Sequence, residues 1–224
     1  LLQMLGLKIS SRRLVTELTA EEKQLVEIVK ACSRSPKILL MDEPTTALRQ
    51  HEVETLFGIM RNLRDKGCCV VFISHRLREV MEVCDRIAVI RDGRNVVDGP
   101  KDQFTPGSIV DHMIGQRTQP VAALKEAPNG KTGMKPTRLL SARGLTSDAV
   151  RDVSFTLHQG EILGFAGLGG SGIDDIFGVL FGLQKAQGGV IEIDGKAIDL
   201  KSPGHAIQNG IGFVPEDRQL CGEF

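Results

Sequence analysis

The sequence lacks the features that would place it in a membrane or on a polyanion. None of its apolar runs approaches the roughly 20 residues that a helix needs to cross a bilayer. Its 28 basic and 28 acidic side chains cancel to a formal net charge of zero, so no excess of positive charge favours nucleic acid or anionic lipid. We therefore expect no transmembrane segment and no nucleic-acid partner.

Cysteine is scarce, and its pattern does not indicate a disulfide framework or a metal site. The number of cysteines is odd, and no two are spaced as C-x-x-C. Two lie on apolar helix faces and two open an apolar strand, which favours small buried thiols in a reducing compartment. The five are Cys32, Cys68, Cys69, Cys84 and Cys221.

What the sequence does contain is an alternation of helix and strand patterns. Apolar residues at helical spacing over 20–33 precede the buried strand KILLMDE, and a second such helix at 51–64 precedes the strand CVVFIS. Hairpin patterns follow around Asp92-Gly93 and Asp194-Gly195. This order predicts an α/β fold with a largely parallel core sheet and an additional antiparallel β part.

The pattern changes over residues 117–136. This stretch holds three prolines and two glycines without sustained periodicity, as is typical of a linker. The flanking parts, 1–116 and 137–224, do not repeat each other and look like complementary parts of one type of domain. Because the chain starts at Leu1 instead of methionine and stops at Phe224 without a terminating pattern, we expect a piece of a longer protein.

The strongest functional pattern is KILLMDEPTTAL at 37–48. A buried strand that ends in Asp42 and Glu43 places two carboxylates at the carboxyl edge of a parallel sheet, where ligands of open α/β sheets bind. Asp42 is suited to hold Mg²⁺, and Glu43 to orient or deprotonate an attacking water. An acid pair that caps a helix is the alternative, but it explains only one of the two acids.

A histidine follows the next strand, in FISHRLREV at 72–80. His75 is expected at the same sheet edge as Glu43, where an imidazole can hydrogen-bond a phosphate and the attacking water. Taken alone, His75 would be interpreted as a helix-capping or partly buried histidine. The Asp-Glu strand about 30 residues upstream favours a functional role.

These motifs resemble those of ABC ATPases. MDEPTTAL and ISHRLREV are similar to the Walker B and switch-histidine segments of that family, and VIRDGRNVVDG to the segment that follows. GEILGFAGLGGSG and IGFVPEDR look like the second domain of the double-domain ATPases of sugar importers, similar to those for ribose, galactose and arabinose. The resemblance implies a P-loop NTPase fold of ABC type in two partial domains. Residues 1–116 would be the C-terminal part of the first nucleotide-binding domain and 137–224 the N-terminal part of the second.

The resemblance also implies a function. The intact protein would hydrolyse ATP with Mg²⁺ at the cytoplasmic face of the membrane. Bound to membrane permease subunits, it would power the import of a sugar brought by a periplasmic binding protein. The isolated chain would be inactive, since it has no complete phosphate loop. Two alternatives stay open: a non-transport ABC ATPase of DNA repair or translation, and a non-hydrolytic regulatory ABC module.

The phosphate loop departs from the family pattern. A working loop reads G-x-x-x-x-G-K-[ST], in which the lysine bridges phosphates and the hydroxyl binds Mg²⁺. Here Ile173 and Asp174 stand at those two positions, so we expect weak nucleotide binding and little or no hydrolysis. A tight strand-to-helix turn is the alternative. The candidate phosphate-contacting residues are Gly167, Leu168, Gly169, Gly170, Ser171 and Gly172.

Two further positions are nucleotide-site candidates by resemblance. LTAEEKQ at 18–24 stands where a signature similar to L-S-G-G-Q would lie, with Thr19 keeping the hydroxyl. Thr19 can equally cap a helix together with Glu22. Glu216 falls where many ABC ATPases have the Q-loop glutamine, which senses nucleotide and contacts the membrane subunit; an exposed loop acid is the alternative.

In a double-domain ABC ATPase, the signature of the first domain faces the phosphate loop of the second. Both altered motifs would therefore line one composite site of the intact protein. Asp42, Glu43 and His75 would belong to the other site, whose phosphate loop would lie outside this chain. We therefore expect one hydrolytic site and one degenerate site.

Overall fold

The structure is a computed structural model that describes residue 10, residues 12–115 and residues 137–215. We call 12–115 the first segment and 137–215 the second segment. The predicted linker, Glu216 and Cys221 lie outside the described residues.

The helices and strands alternate along both segments. In chain order they are α1 (Ala20–Ser33), β1 (Ile38–Asp42), α2 (Gln50–Asp65), β2 (Cys69–Ile73), α3 (Leu77–Val83), β3 (Arg86–Arg91), β4 (Arg94–Pro100), α4 (Pro106–Ile114), β5 (Arg138–Thr146), β6 (Val153–His158), β7 (Ile162–Gly167), α5 (Ile173–Leu180), β8 (Gly188–Ile193), β9 (Lys196–Ile198), α6 (Pro203–Gln208) and β10 (Ile211–Val214). The predicted helices at 20–33 and 51–64 and both predicted hairpins are confirmed.

One six-stranded sheet contains strands of both segments, in the order β10-β1-β2-β7-β3-β4. All neighbouring pairs are parallel except the hairpin of β3 with β4. Strand β7 of the second segment lies between β2 and β3 of the first, and β10 covers the outer edge of β1. Strands of the two segments therefore pair with each other within this chain. Their assignment to two different nucleotide-binding domains of a longer protein stays a prediction.

The core lies on both faces of this sheet. Successive side chains of a strand point to opposite faces, so Ile38 and Leu40 join one buried cluster with Phe165, while Leu39 and Met41 join the other. The first face is also covered by α5 and by a second, antiparallel sheet in the order β6-β5-β8-β9. The predicted fold class, a parallel core sheet with an antiparallel β part, is confirmed.

The four described cysteines carry unbridged thiols. Burial raises the thiol pKa of Cys32 and Cys69 to about 11 and that of Cys68 to about 12. Such thiols stay protonated and act as small apolar groups. None of the helices in the described ranges is long and apolar enough to cross a membrane.

Candidate functional site

The carboxyl ends of three parallel strands meet at one edge of the main sheet. Asp42 at the end of β1 is in register with Ile73 of β2, and Ile73 in turn with Phe165 of β7. The residues that follow these strands therefore emerge side by side. This edge brings together Glu43, His75 and the glycine-rich loop, which were predicted from separate motifs.

Glu43 and His75 contact each other directly. The Nδ1 atom of His75 lies 2.9 Å from Oε1 of Glu43, and the His75 side chain is 57% exposed while that of Glu43 is 20% exposed. The second carboxylate oxygen of Glu43 accepts a hydrogen bond from Thr46 Oγ1 at 3.1 Å. With Nδ1 facing the carboxylate, the other ring nitrogen of His75 is the one available to a ligand.

Asp42 is the buried acid of the site, with 7% of its surface exposed. Mg²⁺ in nucleotide sites is usually held by one or two carboxylates together with waters and phosphate oxygens. A single buried carboxylate at this edge fits that role. The described residues contain no group of three or more His, Cys, Asp and Glu side chains arranged to hold a metal by themselves, so the phosphates would have to supply further ligands.

Sequence reasoning missed a buried polar cluster behind this pair. Glu79 of α3 is 9% exposed and accepts hydrogen bonds from the hydroxyls of Thr45 and Ser74. The available signal was an acid next to Val80 on the apolar stripe of an amphipathic helix, because an acid buried there needs polar partners.

The glycine-rich loop runs from β7 into α5 as a close-packed turn. A side chain at Gly167 would place its Cβ 2.5 Å from Ser171 Oγ and 2.6 Å from the carbonyl oxygen of Ile90, so only glycine fits there. Gly172 has a φ of 91° and is the N-cap residue of α5. The loop packs against the β3–β4 hairpin, since the Gly93 N–H donates to the Ser171 carbonyl at 2.9 Å.

The loop does not fit a triphosphate well. The first turn of α5 carries Asp174 and Asp175, which place negative charge at the helix N-terminus that would otherwise attract phosphate. Although Asp174 is exposed as a residue, partial burial of its carboxyl group raises its pKa, with smaller contributions from Asp175 and Glu43. Leu168 at the loop tip is 54% exposed.

Within this chain the glycine-rich loop and Glu43 share one sheet edge, and Glu43 is close enough to Asp174 to raise the pKa of its carboxyl. The physical reason is the insertion of β7 between β2 and β3, which brings the loop to the edge that holds Asp42 and Glu43. The assignment of Glu43 and the loop to two different composite sites of a longer protein stays a prediction.

Thr19 lies at the start of α1, where it acts as a helix cap. Its hydroxyl accepts from the Glu22 N–H at 3.2 Å, and Glu22 Oε2 accepts from the Thr19 N–H at 2.9 Å. The hydrogen bond from Thr19 and that from Arg13 lower the pKa of Glu22. The capping alternative is thus confirmed as a structural role. A role of Thr19 or of Glu216 at a nucleotide stays a prediction, and Glu216 lies outside the described residues.

Comparison with known proteins yields a family match over the second segment. A family model described as ABC transporter matches residues 150–224. This range includes the glycine-rich loop and strand β10.

Three relatives extend the similarity over nearly the whole chain. The chain is 38% identical over 219 residues to the ribose import ATP-binding protein RbsA of Lacticaseibacillus paracasei, an alignment that covers 97% of this chain and 43% of that protein. It is 37% identical over 223 residues to ribose import ATP-binding protein RbsA 2 of Streptomyces avermitilis, an alignment that covers 99% of this chain and 43% of that protein. A protein of Agrobacterium fabrum named for ribose/galactose/methyl galactoside import is 39% identical over 223 residues, and the alignment covers 99% of this chain and 42% of that protein. The chain thus spans less than half of the length of these relatives.

Proposed function

The chain belongs to the ABC ATPase family, and from this we propose that it is part of the ATP-hydrolysing subunit of a sugar importer. The observation that carries the proposal is the contact of His75 with Glu43, 2.9 Å apart, beside the buried Asp42 at one sheet edge. This is an arrangement of a base, its orienting partner and a metal-binding carboxylate. The relatives named for ribose import support the substrate class.

Each residue of this edge has a role in the proposed chemistry. Asp42 would hold Mg²⁺, which neutralises charge on the phosphates when it is bound. Glu43 accepts a proton from the attacking water or orients it, and its low exposure favours a fixed carboxylate. His75 is oriented by Glu43 through Nδ1 and can donate from its other nitrogen to a phosphate oxygen.

We also propose that the longer protein has one hydrolytic and one degenerate site. The support is the loop at 167–172, which lacks the lysine and hydroxyl and is followed by Asp174 and Asp175. In this proposal 1–116 and 137–224 belong to the first and second nucleotide-binding domains. In this chain β1 pairs with β10 and β2 with β7. In the longer protein, the domain that contains β1 and β2 would therefore include its own strands equivalent to β10 and β7.

A single-turnover measurement tests the asymmetry of the two sites. The proposal requires one ATP hydrolysed per protein, and two would contradict it.

The proposed partners follow from the relatives' role in import. The protein would bind membrane permease subunits at the cytoplasmic face of the membrane, and a periplasmic sugar-binding protein would act through the permease without direct contact. ATP and Mg²⁺ are the proposed cofactors. No nucleic acid is proposed, because the formal net charge of the chain is zero.

The import function is tested by reconstitution. The longer protein that contains this chain is purified with its permease in proteoliposomes, and ATP-dependent uptake of ribose, galactose and arabinose is measured. We expect uptake of at least one sugar that stops without ATP. A non-transport ATPase would hydrolyse ATP without any sugar uptake, and salt-sensitive binding to nucleic acid would support that alternative.

A further inference from the structure

Glu79 is a buried acid to which the proposed chemistry assigns no role. Its Oε2 accepts hydrogen bonds from Thr45 Oγ1 at 2.7 Å and from Ser74 Oγ at 2.8 Å. Its Oε1 accepts from Arg76 Nη1 at 3.2 Å. Both carboxylate oxygens are therefore engaged by protein donors, and the residue is 9% exposed.

The two hydroxyls belong to the two turns that carry the candidate catalytic residues. Thr45 follows Glu43 by two positions, and Ser74 immediately precedes His75. One carboxylate oxygen of Glu79 thus joins the turn after β1 to the turn after β2. The Ser74 hydroxyl also accepts from the backbone N–H of Arg76 at 3.1 Å, which extends the connection to the start of α3.

Glu43 needs restraint because of its backbone conformation. Its φ is 42°, in the left-handed region that residues with a Cβ rarely adopt and that persists only when surrounding contacts hold it. The Glu43 N–H donates to the Ile73 carbonyl at 3.1 Å, which is one such contact. The bond from Thr45 to Glu79 fixes the same turn from its other side.

We propose that Glu79 is a positioning residue that holds Glu43 and His75 in contact and thereby sets the rate of hydrolysis without touching the nucleotide. The inference rests on the proposed ATPase function. A carboxylate suits this role because one oxygen accepts both hydroxyls while the other faces a guanidinium. Glutamine would turn an amide N–H₂ towards Arg76, and leucine would leave both hydroxyls without an acceptor.

The kinetic test compares variants of one helix in the longer protein. Glu82 provides the control, since it also lies on α3 but its side chain is 53% exposed and pairs with Arg61 at 3.4 Å. We expect Glu79→Leu to lower kcat about tenfold or more with the KM for ATP unchanged within about twofold, Glu79→Gln to recover part of the loss, and Glu82→Leu to match the unmodified protein. Equal effects of Glu79→Leu and Glu82→Leu would overturn the proposal.

A double substitution separates positioning from a general loss of structure. Glu79→Leu is measured again in a His75→Ala background. If Glu79 acts through the Glu43–His75 contact, its fold-loss in kcat is smaller when His75 is absent. The same fold-loss in both backgrounds means that Glu79 acts elsewhere, which contradicts the proposal.

Hydrogen exchange of the 224-residue chain gives a readout that needs no turnover. We expect Glu79→Leu to accelerate exchange of the Glu43 amide about tenfold relative to Glu82→Leu, while the mid-strand amides of Leu40 and Val71 stay unchanged. Faster exchange in this chain, combined with a longer protein that shows no ATPase activity, would refute the proposed function and keep the positioning role. Unchanged exchange of the Glu43 amide would overturn the inference. If Glu79→Leu does not fold, the same comparison of exchange rates is made between Glu79→Gln and Glu82→Gln.

Discussion

At the scale of single residues, position 174 is one of the two places where this loop departs from the phosphate-loop pattern. An aspartate replaces the Mg²⁺-binding hydroxyl there, and Ile173 replaces the lysine. Partial burial of the Asp174 carboxyl and the neighbouring acids Asp175 and Glu43 raise its pKa, which shows that the ionised form is disfavoured in the folded chain. A phosphate placed at this turn would add further negative charge.

Restoring the two family residues tests this account of the loop. We expect Ile173→Lys combined with Asp174→Thr to bind ATP at least about tenfold more tightly than the unmodified 224-residue chain in calorimetric titration, because the cation and the hydroxyl return. Ile173 is 5% exposed, so the lysine costs some stability, and thermal unfolding must confirm that the variant folds. Ile173→Leu with Asp174→Asn is the control that removes charge only. Equal affinity of both variants would contradict the account.

The raised pKa of Asp174 also predicts a pH dependence of stability. An acid whose pKa is raised by folding destabilises the folded state where it is ionised, and this penalty disappears as pH falls through the raised pKa towards the ordinary value of 3.8. Asp174→Asn is therefore expected to raise Tm near neutral pH, with a gain that shrinks at acidic pH. Asp102→Asn, at an exposed aspartate, is the control. A gain in Tm that grows on acidification would contradict this prediction.

At the scale of elements, the β3–β4 hairpin supports the glycine-rich loop. Its turn residue Gly93 donates to the Ser171 carbonyl at 2.9 Å and accepts from the Arg151 N–H at 2.6 Å. A Cβ at Gly93 would lie 2.0 Å from the Ala149 carbonyl oxygen. The hairpin turn of the first segment is thus packed against two backbone stretches of the second.

A pair of glycine substitutions measures this close approach. Gly195, in the other Asp-Gly turn, has a φ of 74°, similar to 72° at Gly93, but a Cβ there meets no atom within 4 Å. Gly195→Ala should therefore cost only the left-handed strain, about 1 kcal/mol. Gly93→Ala should cost roughly 3 kcal/mol or more, since backbone must also move. Chemical denaturation of both variants checks the difference, and equal costs would contradict the packing.

At the scale of the whole molecule, the interleaved strand order makes one folding unit of two segments. Phe165 is fully buried on β7, a second-segment strand that lies between β2 and β3 of the first segment. Its ring centroid lies 5.2 Å from that of Phe155, within the second segment. The segments are also joined at the surface by Lys37 Nζ and Asp194 Oδ2, 2.7 Å apart, on side chains that are 59% and 46% exposed. The buried contacts are expected to dominate the stability of the joined unit.

Two substitutions compare these contacts. Phe165→Ala should lower the free energy of unfolding by about 3–5 kcal/mol through lost burial and a cavity. Lys37→Ala should change it by less than about 1 kcal/mol, because exposed ion pairs are screened by solvent. Urea unfolding followed by circular dichroism and by amide signals of each segment should show one common transition. Separate transitions for the two segments would contradict the shared sheet.

Local patterns predicted much of this structure. The apolar runs of β1 and β2, the helices between them, and the edge position of Asp42 and His75 follow from periodicity and from the rule for parallel sheets. The insertion of β7 between β2 and β3 could not be predicted, because long-range strand pairing leaves no local periodicity. The same holds for Glu79, whose burial depends on hydroxyls from two distant turns, and for the proximity of Glu43 to Asp174.

The most direct test of the proposed hydrolytic site is the turnover of Glu43→Gln in the longer protein, with Glu54→Gln, at an exposed acid of α2, as the control. We expect Glu43→Gln to bind ATP normally and to lose turnover by about 10²-fold or more, since removing a positioned base costs at least that much. Glu54→Gln should turn over at the unmodified rate. Substantial turnover by Glu43→Gln would mean that Glu43 is not the base and that the site at the ends of β1 and β2 does not drive hydrolysis.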